Sequence, residues 1–293
     1  MRITAGMNQR HVLADLRRVQ ERLSDAQSRV SSGKQIEKPS DDPLGAERAV
    51  RLRSELQTNS AYSTAVDESK SWLDATDSAL SSINDIVQRA RELTVQAANG
   101  ATTPAGRQSI KLELDALTDQ LKTTLNGAYD GRYIFSGTKT DTPPYDLNSA
   151  TPDAYQGDAN PVLRQIGPGV SVQVNVTGDE VLSGLLPALR SISAHLAAND
   201  SASLQTTDLQ ALDAGLDTVA NARSLVGATT NRVTAAGQRL DDMHDVTAAF
   251  LSTTEEADLP QALTDLSAQQ NALTAALHGG STLIQQSLMD FLR

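Results

Sequence analysis

The sequence predicts a mainly α protein: an elongated rod of long coiled-coil and bundle helices, with its N- and C-terminal helices paired and a small β-rich domain inserted between them. Three observations carry this prediction. Apolar residues recur at alternating spacings of four and three near both ends of the 293-residue chain. A helical pattern without an internal proline fills the stretch from Leu44 to Ala98. A mid-chain stretch rich in Pro, Gly, Tyr, Asn and Asp interrupts the helical patterns. Aromatic residues make up only 3% of the chain, too few large side chains for a thick globular core and well suited to thin bundles.

The first seam runs through Val12, Leu16, Val19, Leu23, Ala26 and Val30. A 3.5-residue repeat keeps one narrow stripe facing a partner helix, so this stripe needs cover. SSGKQIEKPSDDP, residues 31–43, breaks the helix. Gly33 suits a left-handed cap, Pro39 blocks continuation, and Asp42 before Pro43 gives an N-cap with a first-turn proline. The helix expected from about Leu44 to Ala98 is roughly 80 Å long at 1.5 Å per residue, far beyond an ordinary globular helix. In its later half Leu73, Thr76, Leu80, Ile83, Val87 and Ala90 keep heptad spacing, and Asn99–Gly100 end it. Thr103–Pro104 open the next helix, carried by Ile110, Leu114, Leu117, Leu121 and Leu125, and Asn126–Gly127 close it.

From Gly131 to about Gly184 the pattern changes. Val170, Val172, Val174 and Val176 alternate with Ser171, Gln173 and Asn175 as one strand, entered through a turn at Gly167, Pro168 and Gly169. Helical pattern resumes near Leu185. After Ser201, read as an N-cap, a second long helix is expected to reach about Thr254 on the seam Leu212, Leu216, Val219, Val226, Val233, Leu240, Thr247 and Leu251. Gly215, Gly227 and Gly237 each cost about 1 kcal/mol relative to Ala, so neighbouring helices are expected to lie close there. The last seam holds Leu259, Leu263, Leu266, Leu273, Leu277, Ile284 and Leu288, with Gln270 in one slot. From Leu259 to Arg293 the ionisable side chains are Asp265, His278, Asp290 and Arg293 alone, and so little charge on any face favours burial between subunits. Three regions follow: 1–42 with 255–293 as a terminal coiled-coil core, 43–132 with 185–254 as a helical bundle, and 133–184 as an inserted outer domain.

Composition excludes more than it names. Zero cysteines rule out disulfides, thiolate catalysis and thiolate metal ligation. Residues 1–56 hold 11 Lys or Arg against 8 Asp or Glu, whereas 141–220 hold 2 against 10. That distribution lacks the concentrated basic surface that nucleic acid requires. There is no apolar run long enough for a membrane span, and MRITAGMNQR lacks the apolar core of a secretory signal. His11, His195, His244 and His278 fall on separate helices in no zinc spacing, and His278 before Gly279–Gly280 reads as a helix C-terminal residue. The acidic groups at 241–245 and 255–258 lack the alternating oxygen ligands and glycine of a calcium loop. Trp72 reads as a bundle anchor. No nucleophile, phosphate or dinucleotide motif appears, so no active site, cofactor or metal is expected.

Several motifs carry a family resemblance: MRITAGM at the start, SSGKQIEKPSDDP at 31–43, GRYIFSGTKTDTPPY at 131–145, YQGD at 155–158, QIGPGVSVQVNVTG at 165–178 and SLMDFLR at the end. Together they resemble the flagellin superfamily, and within it the FlgL family of type 3 hook-associated proteins, over essentially the whole chain. The resemblance implies a structural subunit of the extracellular bacterial flagellum, forming a homo-oligomeric ring at the hook–filament junction. Its neighbours would be an FlgK-like junction protein on one side and flagellin or the filament cap on the other. Export through the flagellar type III apparatus and a cytoplasmic chaperone on the C-terminal helix are also implied. The two terminal seams are then the expected assembly interface. Flagellin itself is the alternative, and a type III-secreted tip or translocator protein a more distant one.

Overall fold

Helices dominate the computed structural model, which describes residues 5–146, 154–182 and 184–291. Helix α1 spans Ala5–Ser32, α2 Pro43–Ala98 and α3 Pro104–Leu125. Their boundaries follow the capping chemistry. Asp42 Oδ1 accepts the Leu44 N–H at 3.1 Å, and Thr103 Oγ1 accepts the Gly106 N–H at 3.1 Å. Two short hairpins come next. Strands β1 (Ala128–Tyr129) and β2 (Arg132–Tyr133) pair antiparallel around Asp130 and Gly131, whose φ values of 49° and 73° make the left-handed two-residue turn that matches strand twist. Strands β3 (Leu163–Gly167) and β4 (Val170–Gln173) pair antiparallel across Pro168 and Gly169.

The strand expected to continue to Val176 stops at Gln173. Val174 still donates its N–H to the Val162 carbonyl at 3.0 Å. Beyond it the Asn175 side chain replaces the backbone ladder, accepting from the Val162 N–H at 2.7 Å and donating to the Asn160 carbonyl at 3.0 Å. The partner strand β3 carries no clean alternation of its own.

Helices α4 (Gly178–Leu182) and α5 (Leu185–Ala198) lead back into the bundle. The second long helix begins differently from expectation. Asp200, not Ser201, is the N-cap, accepting from the Ala202 and Ser203 N–H groups. A short α6 (Ser201–Ser203) then widens into a π turn over Leu204–Asp208 before α7 runs through Leu209–Glu255. The last helix, α8, spans Leu259–Phe291.

Packing divides the chain into two units, Met1–Thr58 with Met243–Arg293, and Asn59–Asp242. The second unit has one apolar core. Leu73, Leu80 and Ile83 of α2 meet Leu114 and Leu121 of α3, Leu185 and Ile192 of α5, and Leu212 and Val219 of α7. Phe135, Ile166, Val172, Val174 and Val176 of the 133–184 segment belong to the same cluster. Burying each such side chain stabilises by about 1.5–3 kcal/mol. Glycine supplies close approach at two of the three expected places: a Cβ on Gly215 would collide with the Leu185 side chain, and one on Gly237 would lie 3.2 Å from Val66 Cγ1. Gly227 has open space.

Candidate assembly surfaces

In the first unit, α1 and α8 pack antiparallel through facing rows of side chains. The α1 row is the one read from sequence: Ala26 is buried, and Val12, Leu16, Val19, Leu23 and Val30 are half-buried. The α8 row that meets it is Ala262, Leu266, Gln269, Leu273, Ala276 and Gly280, again spaced four and three. A Cβ on Gly280 would stand 3.2 Å from Val12 Cγ1, so the absence of a side chain there lets the helices approach.

The leucine row read from sequence splits in two. Leu266 and Leu273 face α1, whereas Leu259, Leu263 and Leu277 are 48%, 52% and 51% exposed within the chain. Each residue turns 100° on a helix, so a shift of one position separates a covered row from an uncovered one. The side chains of Ile284 and Leu288 lie outside the described residues. Sequence reading missed Ala262, Ala276 and Gly280 because it weighted large apolar side chains. The available signal was the small-residue spacing around Gly279–Gly280. The helix continues through these glycines to Phe291, so His278 is not the C-terminal residue expected of it.

A clasp joins the two connectors of this unit. The Gln35 N–H donates to the Glu255 carbonyl at 2.7 Å, and the Ala257 N–H to the Gly33 carbonyl at 2.9 Å. The Glu255 carboxylate, its side chain 6% exposed, is held by the Lys34 ammonium and the Arg53 guanidinium. Burial opposes its charged form, but those two cations outweigh it and hold the carboxyl below the usual glutamate range. Beside the clasp lies an open recess lined by Arg29, Arg48, Arg51, Leu44 and Phe250. Leu13, Val50, Met243 and Val246 add further exposed apolar side chains to this unit.

The second unit holds a serine–histidine–aspartate cluster whose geometry is that of a structural clamp. The buried Asp208 carboxylate accepts from Ser191 Oγ at 3.0 Å and pairs with His195 Nδ1 at 2.7 Å. Ser191 sits 3.4 Å from that same Nδ1, so serine and carboxylate meet one ring nitrogen, and the ring does not bridge them as a proton relay requires. The π turn places Asp208 there. At the base of the β hairpins, Thr138 donates through its hydroxyl and its backbone N–H to Asp158, pulling that carboxyl down to about 2. Among the described residues, no three His, Asp or Glu side chains gather in metal-binding range, and no helix is long and apolar enough to cross a membrane.

Chain-end helices packed on each other, a bundle of long helices and two short hairpins define a flagellin-like helical fold. The family model for the bacterial flagellin N-terminal helical region matches residues 3–140. The Escherichia coli (strain K12) flagellar hook-associated protein 3 is 32% identical over 62% of this chain and 55% of its own length, so the match spans just over half of that relative. The Listeria monocytogenes flagellin is 25% identical over 86% of this chain and 84% of its own. The crystal structure of Bacillus cereus FlgL matches with a TM-score of 0.61 at 25% identity, covering 69% of this chain and 99% of that one. The chain is thus similar to proteins of the flagellin superfamily, through its N-terminal helical region and through its fold.

Proposed function

We propose that the protein is a structural subunit of the bacterial flagellum, joining the hook-associated ring to the flagellin filament. The observation that carries this reading is the similarity to two flagellar hook-associated protein 3 sequences, at 32% and 29% identity, together with the match to Bacillus cereus FlgL at a TM-score of 0.61. The two rows on α8 support it. One row holds the chain ends together through α1, and the other leaves Leu259, Leu263 and Leu277 for a neighbouring subunit. The interface therefore comprises those leucines with Leu266, Leu273, Ile284 and Leu288, and the α1 row from Val12 to Val30. The neighbours are further copies of the chain in a ring, an FlgK-like protein below, and flagellin or the cap above. The subunit reaches this place unfolded through the flagellar type III apparatus, with a chaperone covering α8 in the cytoplasm. The bundle of 43–132 with 185–254 and the acidic 133–184 segment lie outside that interface.

A clean deletion tests the reading. Cells without the protein are expected to build hooks but to release flagellin monomers into the medium. Complementation by the full chain restores filaments. Normal filaments in the deletion strain overturn the junction role, and the role of main filament subunit with it, and leave an unrelated secreted protein as the alternative.

A further inference from the structure

In the second unit a cleft of about 300 Å³ opens between α2, the β1–β2 hairpin and β3. The hairpin shapes its mouth. Tyr129 and Arg132 are cross-strand partners, so their side chains leave the ribbon on one face. Tyr129 sets its ring edge-on to Trp72, with centroids 6.2 Å apart and planes at 86°. Trp72 is the single tryptophan of the chain and is 9% exposed. Its indole N–H is buried and has no acceptor among the described residues. A stranded donor of this kind is costly unless an acceptor is brought to it.

Four charged side chains stand around the cleft: Glu68, Asp130, Arg132 and Arg164. Among the described residues none of the four is engaged in an ion pair or a side-chain hydrogen bond. The balance of signs decides what fits. A carboxylate drawn by the two arginines meets two carboxylates, and an ammonium group meets the converse. Hydroxyl groups donate and accept at once, so a polyol satisfies both kinds of partner without adding charge. Adjacent hydroxyls match the forked geometry of a guanidinium or a carboxylate. A pyranose ring also presents C–H faces to the exposed part of the Tyr129 ring, and mixed aromatic and polar linings are the usual composition of small-molecule sites. We infer that this cleft is a binding site for a neutral saccharide. The inference does not rest on the junction role, because it uses only residues of the second unit.

The lone tryptophan makes the test direct. The full chain is titrated with N-acetylglucosamine, methyl β-galactopyranoside and methyl β-glucopyranoside, with glucuronate and glucosamine as charged comparisons, and Trp72 emission is followed alongside saturation-transfer NMR. At least one neutral sugar is expected to bind saturably in the millimolar range. Arg164→Ala and Glu68→Ala are each expected to weaken it about tenfold, as for loss of a hydrogen bond to a charged group, with the helical circular-dichroism signal unchanged. If either alanine variant loses that signal, Arg164→Lys or Glu68→Gln replaces it. Absence of saturable binding by every neutral sugar overturns the inference. So does binding by a charged sugar alone, or binding that the variants leave unaltered.

Discussion

Two carboxylates show how single residues fix this chain, and folding holds both below their ordinary range. Glu255 is nearly sealed from solvent between Lys34 and Arg53, which are themselves about half exposed. Removing its charge strands two cations beside a buried site. Glu255→Gln is therefore expected to lower stability by about 1–3 kcal/mol, less than a fully buried pair would cost, as read by denaturant unfolding of the full chain. Asp158 is held down to about 2 from an ordinary value of 3.8 by Thr138. A carboxyl depressed by folding binds fewer protons in the native state, so its contribution is complete above about pH 4 and fades as pH falls toward 2. Thr138→Val is expected to move the Asp158 titration upward in side-chain NMR; an unmoved titration contradicts the hydroxyl's role.

At the scale of elements, α8 is the informative helix. Its two rows separate chain-internal packing from an uncovered face, and substitutions are expected to separate them too. Leu263→Asp with Leu277→Asp is expected to leave the helical signal and thermal melt nearly unchanged while blocking assembly into filaments. Leu266→Asp with Leu273→Asp adds a loosening of α1 from α8, seen as faster amide exchange in both helices. Equal exchange in the two pairs contradicts the division. The long helices were legible because proline, aspartate and threonine caps are local chemistry, and Asp42 and Thr103 act within a turn of themselves. The α1 row was legible because its partner-facing residues are the large ones. The α8 row that meets α1 was legible at Leu266 and Leu273 but not at Ala262, Ala276 and Gly280, which meet α1 through smallness that periodicity of large residues does not register. The Asp200 cap is equally local, accepting from Ala202 and Ser203 one residue before the serine that the pattern favoured, whereas the π turn and the β3 strand depended on more distant partners such as His195 and Asn175. The Glu255 clasp joins residues more than two hundred positions apart, and no local pattern announces it.

For the molecule as a whole, the proposed place at the hook–filament boundary sets a stoichiometry. A junction ring is built once, before the filament grows, so its copy number is independent of how long the filament becomes. A filament subunit is added at every increment of length. The measurement is quantitative mass spectrometry of intact flagella sheared or grown to graded filament lengths, with hook protein as the internal standard. The ratio of this protein to hook protein is expected to stay constant while the ratio of flagellin to hook protein rises in proportion to length. A ratio that rises with filament length contradicts the junction role and makes the protein a filament subunit.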